Sequence, residues 1–155
     1  GNPLSHTMNL QNEYVILNGT RMNEFMMNAY TAGYYGVPVV FLSGDRALCE
    51  FASGMIPGIT TVAVNEGRGG AVVSMHPDLA VNAVKDGAKR AMKNAKNCMV
   101  TLPDFFEMTV RFKDHKVAYS KSFYPGAVLE SDKNVLYSSD DWFEMLRFCH
   151  FVLSD

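Results

Sequence analysis

Val37-Pro38-Val39-Val40-Phe41-Leu42-Ser43-Gly44-Asp45 is the stretch on which the fold turns. Its first six residues are apolar without alternation, and half of them are the β-branched Val37, Val39 and Val40. A half-exposed antiparallel strand would alternate apolar and polar, so this run suits a strand covered on both faces of a parallel sheet. Pro38 has no N–H to give to a ladder and fits only near the strand start. Downstream, Asp45 is placed to cap a helix through Phe51, Pro57-Gly58 breaks that helix, and Ile59-Thr60-Thr61-Val62-Ala63-Val64 reads as a second buried strand. Upstream, Asn23 to Tyr35 carries Phe25, Met26, Ala29, Ala32 and Gly33 near helical spacing, with Gly36 as the stop. Helix, strand, helix, strand is the order of an α/β layer.

Working outward, Glu13 to Leu17 followed by Asn18-Gly19-Thr20 reads as a strand entering a tight hairpin turn. Gly67-Arg68-Gly69-Gly70 precedes His76-Pro77 and a helix expected over Asp78 to Ala95, with Lys89, Arg90, Lys93 and Lys96 toward its C-terminal end, where cations favour the helix dipole. The remainder alternates strand and helix: Met108 to Phe112 a half-exposed strand, His115 to Ser122 a helix, Pro125-Gly126 a turn, Asn134 to Tyr137 a strand, Asp140 to Leu153 a closing amphipathic helix. The fold class is therefore α/β. Part of a doubly wound, mostly parallel sheet layer is expected over residues 1–96 and a smaller α+β (β-α-β-α) subdomain over residues 97–155.

Composition excludes several functions. Fourteen Lys+Arg against sixteen Asp+Glu leave a formal charge of −2, so no positive field draws nucleic acid or an anionic membrane surface. The apolar runs are far too short to span a bilayer, and no basic flank with an apolar core opens the chain as a signal peptide would. Cys49, Cys98 and Cys149 are odd in number and widely spaced, which argues against a disulfide framework and for a reducing, cytoplasmic setting. The ten Met and the many Phe and Tyr side chains serve core packing or a subunit interface better than a cofactor box.

Few residues carry candidate chemistry. His6, in Ser5-His6-Thr7-Met8, lies in a polar loop where imidazole can move a proton or bind zinc, or can simply be a surface histidine. Glu24 opens the first helix and can be a capping acid, a metal ligand or a general base. Asp45 closes a buried strand, where ligands of open α/β sheets collect, and equally suits a helix cap. Gly67 to Gly70 invites a phosphate-loop reading, yet Val72 stands where the dinucleotide fingerprint needs Gly or Ala, and there is no Gly-Lys-Ser/Thr triplet. A tight turn with Arg68 exposed fits better. His76, His115 and His150 have structural or solvated contexts. No tight cluster such as H-E-x-x-H is present, although a zinc hydrolase needs about three protein ligands per ion.

Taken together, Asn2-Pro3-Leu4-Ser5-His6-Thr7-Met8, Leu17-Asn18-Gly19, Asn23-Glu24-Phe25-Met26-Met27-Asn28-Ala29, Ala32-Gly33-Tyr34-Tyr35-Gly36-Val37-Pro38-Val39 and Ser43-Gly44-Asp45 resemble the M55 family of D-aminopeptidases. Weaker agreement continues through Gly67-Arg68, His76-Pro77, Pro125-Gly126 and the closing helix. The resemblance implies a zinc-dependent aminopeptidase that releases N-terminal D-amino acids from short peptides, with a two-zinc site and a ring-stacked, decamer-like homo-oligomer. Residue by residue, it makes His6 the catalytic histidine and Glu24 a zinc-ligating glutamate. Family members also carry an acidic Asp-x-Glu segment and two further zinc-binding histidines upstream of the matching region. The resemblance therefore implies that this sequence corresponds to the C-terminal portion of such an enzyme, its two-zinc site completed by an upstream segment. Two other readings stand beside it: a binding or scaffold module of the same fold without the metal site, and a phosphate- or nucleotide-binding α/β domain.

Overall fold

The computed structural model describes residues 2–154. It contains two compact units, one formed by residues 2–5 and 29–101, the other by residues 6–28 and 102–154.

The first unit is built on β3 (Phe41–Asp45), α2 (Arg46–Met55), β4 (Thr60–Arg68), β5 (Ala71–Ser74) and α3 (Pro77–Ala91), in a three-stranded sheet of order β3-β4-β5. β3 and β4 pair in parallel, Phe41 opposite Thr60 and Ser43 opposite Val62, while β5 folds back antiparallel on β4. Side chains alternate between faces along a strand, and here the alternation sorts the helices. Phe41 and Val62 lie against Gly87 of α3, whereas Gly44 meets Leu48 of α2 and Thr61 meets Ser53 of α2. A helix thus covers each face of the parallel pair, the doubly wound arrangement expected. Gly87 is what lets α3 approach: a Cβ there would stand 2.8 Å from both Phe41 Cε2 and Val62 Cγ2.

Three local differences from the sequence expectation have physical reasons. The strand occupies Phe41–Asp45 rather than Val37 to Leu42, because the ladder begins only at Phe41 opposite Thr60; Val39 N–H instead reaches the Cys98 carbonyl at 3.0 Å. The long helix stops at Ala91 and tightens into a 3-10 segment, Met92–Asn97, with Asn94 out of helical conformation and its amide donating to the Gly58 carbonyl at 2.9 Å. Finally, Ala71–Ser74 forms the second arm of a hairpin whose turn places Gly69 at φ +60, a conformation glycine adopts without strain.

The second unit is an antiparallel sheet of order β2-β1-β6-β8-β7, comprising β1 (Asn12–Leu17), β2 (Thr20–Arg21), β6 (Phe106–Phe112), β7 (Val128–Leu129) and β8 (Asn134–Ser139), with α4 (His115–Lys121) and α5 (Trp142–Leu153). The Asn18-Gly19 turn has φ +47 and +76, the double left-handed geometry of a type I′ hairpin. β6 alternates as the sequence suggests, burying Phe106, Met108, Val110 and Phe112. α5 buries Trp142, Met145, Phe148, Cys149, Val152 and Leu153, and its start is capped by Asp141, which accepts from Phe143 N–H at 2.8 Å. Trp142 meets Phe106 at a ring separation of 5.0 Å, and Cys149 Sγ lies 3.6 Å from Met108 Sδ.

The expected division into residues 1–96 and 97–155 is redrawn by one pairing. β1 joins β6, with Val15 opposite Val110 and Leu17 opposite Met108, so residues 6–28 belong to the unit that contains residues 102–154. His6 and Glu24 therefore sit with the antiparallel sheet, not with the parallel layer. The division falls within α1 (Glu24–Tyr34).

Candidate functional site

Glu24 is the first residue of α1, but it does not cap that helix. Asn23 does, its side-chain oxygen accepting from Met26 N–H at 2.9 Å. Relieved of capping, the exposed Glu24 carboxylate turns back to the loop carrying His6, where Oε1 accepts from the Met8 backbone N–H at 2.9 Å. That one amide donor tethers the carboxylate to the loop, and among the described residues Oε2 has no hydrogen-bond partner. His6 is exposed, two residues before Met8. The two leading sequence candidates are thus brought to the same loop-helix junction, through the backbone between them.

That loop has an unusual build. Met8 has φ +65, and Asn9 N–H donates to the Thr7 carbonyl at 2.8 Å. An i to i+2 hydrogen bond around a positive-φ residue is a γ-turn of the rare, strained kind. It is held from both sides. Thr7 Oγ1 donates to the Met22 carbonyl at 3.2 Å, and Asn12 Nδ2 donates to the Thr7 carbonyl at 2.7 Å. Asn9 Oδ1 accepts from Gln11 N–H at 3.0 Å, Asn12 N–H at 3.2 Å and Asn12 Nδ2 at 2.9 Å, while Asn9 Nδ2 donates to the Leu153 carbonyl at 2.7 Å. Sequence reasoning did not single out Asn9 or Asn12. The available signal was Asn-x-x-Asn directly ahead of a strand, since Asn side chains commonly tie off local turns.

The other candidates take structural roles. Asp45 caps α2, accepting from Leu48 N–H at 3.0 Å. His76 caps α3, its Nδ1 accepting from Asp78 N–H at 3.3 Å. His115 and His150 are exposed on α4 and α5. Arg68 is held by Glu66 at 2.6 Å, and Arg46 reaches the same carboxylate at 2.7 Å. Those two guanidiniums, Arg46 foremost, hold the Glu66 carboxyl below its ordinary range. Both cations near the Gly67 to Gly70 turn thus share one internal counter-charge, which fits a structural role for them.

Among the described residues no three His, Cys, Asp or Glu side chains gather into a metal-holding group. Glu24 supplies one oriented carboxylate, which is short of the three protein ligands or so that a zinc ion in a hydrolase requires. The described residues do not by themselves fit a zinc site.

The peptidase M55 family model, described as D-aminopeptidase, matches residues 1–151. The chain belongs to the M55 family. Among relatives, the M55 chain is 28% identical over 130 residues to a curated D-aminopeptidase of Bacillus subtilis, a match covering 83% of this chain and 47% of the relative. It also superposes on the solved structure of the Zn-dependent D-aminopeptidase DppA from Bacillus subtilis, described as a self-compartmentalizing protease, with a TM-score of 0.84 and 25% identity over 98% of this chain and 58% of that one. This M55 chain therefore spans about half the length of the curated relative it matches. No helix among its described residues is long and apolar enough to cross a membrane.

Proposed function

We propose that this M55 chain takes part in the zinc-dependent release of N-terminal D-amino acids from short peptides, with Glu24 as a metal ligand and His6 as the catalytic histidine. The observation that carries the reading is the Glu24 carboxylate, held by the Met8 N–H on the loop that bears His6. The kinship to zinc-dependent D-aminopeptidases supports it. The exposed imidazole can accept and return a proton during amide hydrolysis. A carboxylate oxygen that no described residue claims is what a hard or borderline cation takes as a ligand. The remaining ligands of a two-zinc site would come from outside the described residues. The protein would act in the cytoplasm as a homo-oligomer, in keeping with the self-compartmentalizing description of the solved relative.

Metal analysis tests this reading. The natural protein, isolated without chelator, is expected to hold about two zinc ions per chain, as two-metal hydrolases do, and Glu24→Gln to lose at least one of them while keeping its fold. A natural protein free of zinc would refute the proposal. It would favour a scaffold module of the same fold.

A further inference from the structure

Asn9 and Asn12 are the two buried polar side chains among the described residues, 5% and 6% exposed. Burying an amide costs free energy unless each donor and acceptor is matched, and these two are matched almost wholly to the chain between Thr7 and Asn12. Asn12 Nδ2 donates to the Thr7 carbonyl, the Asn9 carbonyl at 3.2 Å and Asn9 Oδ1. Asn9 then anchors the whole loop to the last turn of α5 through the Leu153 carbonyl. An apolar pair would fill the same space without demanding partners. What the amides add is geometry: they over-determine a backbone that has Met8 at φ +65, and that conformation aims the Met8 N–H at Glu24 Oε1. Backbone strain of this kind persists only where the surroundings enforce it, and such sites concentrate at functional centres.

We propose that Asn9 and Asn12 are positioning residues, acting through the Thr7-Met8-Asn9 γ-turn to hold the Glu24 carboxylate and the His6 imidazole in their working arrangement. The proposal rests on the peptidase reading above. It assigns no contact with substrate to either asparagine. When Asn12 Nδ2 is removed, the Thr7 carbonyl loses its strongest outside tie, the γ-turn can relax toward φ below zero, and the Met8 N–H swings away from Glu24. A shift of about 1 Å in such a group can cost on the order of a hundredfold in rate.

The test uses the natural protein with zinc supplied and a D-alanyl dipeptide as substrate. Asn12→Ala is expected to lower kcat by about tenfold or more with KM within about twofold, and to speed hydrogen exchange at the Met8 amide while amides of β6 keep their protection. Thr7→Val, which removes only the tie to the Met22 carbonyl and keeps the side-chain shape, is expected to lower kcat by a smaller factor in the same direction. It decides the matter if Asn12→Ala does not fold. Parental kcat in both folded variants would overturn the proposal and leave the asparagines with a purely structural role, read as a lowered Tm alone. Parental turnover in His6→Ala and in Glu24→Gln would instead overturn the roles given to those two residues in the peptidase reading, a failure separate from this one because it does not involve the γ-turn.

Discussion

Gly87→Ala in α3 sets two effects of known sign against each other. Replacing glycine inside a helix ordinarily stabilises, by about 1 kcal/mol through backbone entropy. Here the added Cβ would stand 2.8 Å from Phe41 Cε2 and 2.8 Å from Val62 Cγ2, inside normal carbon contact distance by more than half an ångström at both. Neither neighbour yields easily, since one is a ring packed against the helix and the other is β-branched and stiff at χ1. Overpacking of this kind costs typically about 1–3 kcal/mol, so the net expectation is a destabilisation of about 1 kcal/mol. The internal control is Gly54 in α2, where an added Cβ meets nothing within 4 Å; Gly54→Ala should stabilise by up to about 1 kcal/mol. Urea unfolding of the natural protein and the two variants, followed by circular dichroism, measures both. Trimming Val62 to Ala should reduce the cost of Gly87→Ala, a coupling that a double-mutant cycle isolates. A Gly87→Ala protein as stable as Gly54→Ala would refute the packing of α3 on the β3-β4 face.

Two further outcomes follow from charge and burial. Burial pushes the Cys149 thiol up to about 12, so at pH 8 the folded protein should leave Cys149 unmodified by iodoacetamide and the unfolded protein should not; mass spectrometry of the labelled peptide reads this, and rapid labelling of native Cys149 would contradict its place against Met108. Glu66 has a folded-state pKa below its unfolded value because of Arg46 and Arg68. It therefore adds stability above the unfolded carboxylate range, and that contribution is lost as pH falls through the folded pKa. Carbon-detected NMR titration should show the Glu66 carboxyl moving up toward its ordinary range in Arg46→Ala, and 1 M salt should shrink the difference because the pair is exposed; an unmoved titration would rule out the ion pair in solution.

Local signals in this sequence located most elements but not their partners. The Asn18-Gly19 hairpin, the alternation of Met108 to Phe112 and the capping aspartate Asp45 are each encoded within a few residues, and each stands where its chemistry places it. That β1 pairs with β6, more than 90 positions away along the chain, is a tertiary choice that periodicity does not carry, which is why residues 6–28 were expected beside the parallel layer. Ala71–Ser74 escaped notice for a different reason: every residue of β5 is exposed, so no buried face imprints a period of two. At the candidate site, His6 and Glu24 were legible as residue types. The γ-turn that joins them was not, because Met8 is a residue type for which a positive φ is not expected.

The central claim is that His6 and Glu24 serve a D-specific aminopeptidase, and turnover by the natural protein tests it most directly. With zinc supplied, it is expected to release D-alanine from a D-alanyl dipeptide, to leave the L-alanyl epimer largely untouched, and to lose the D-activity in His6→Ala with bound zinc retained. Equal turnover of both epimers, or full D-activity in His6→Ala, would contradict it.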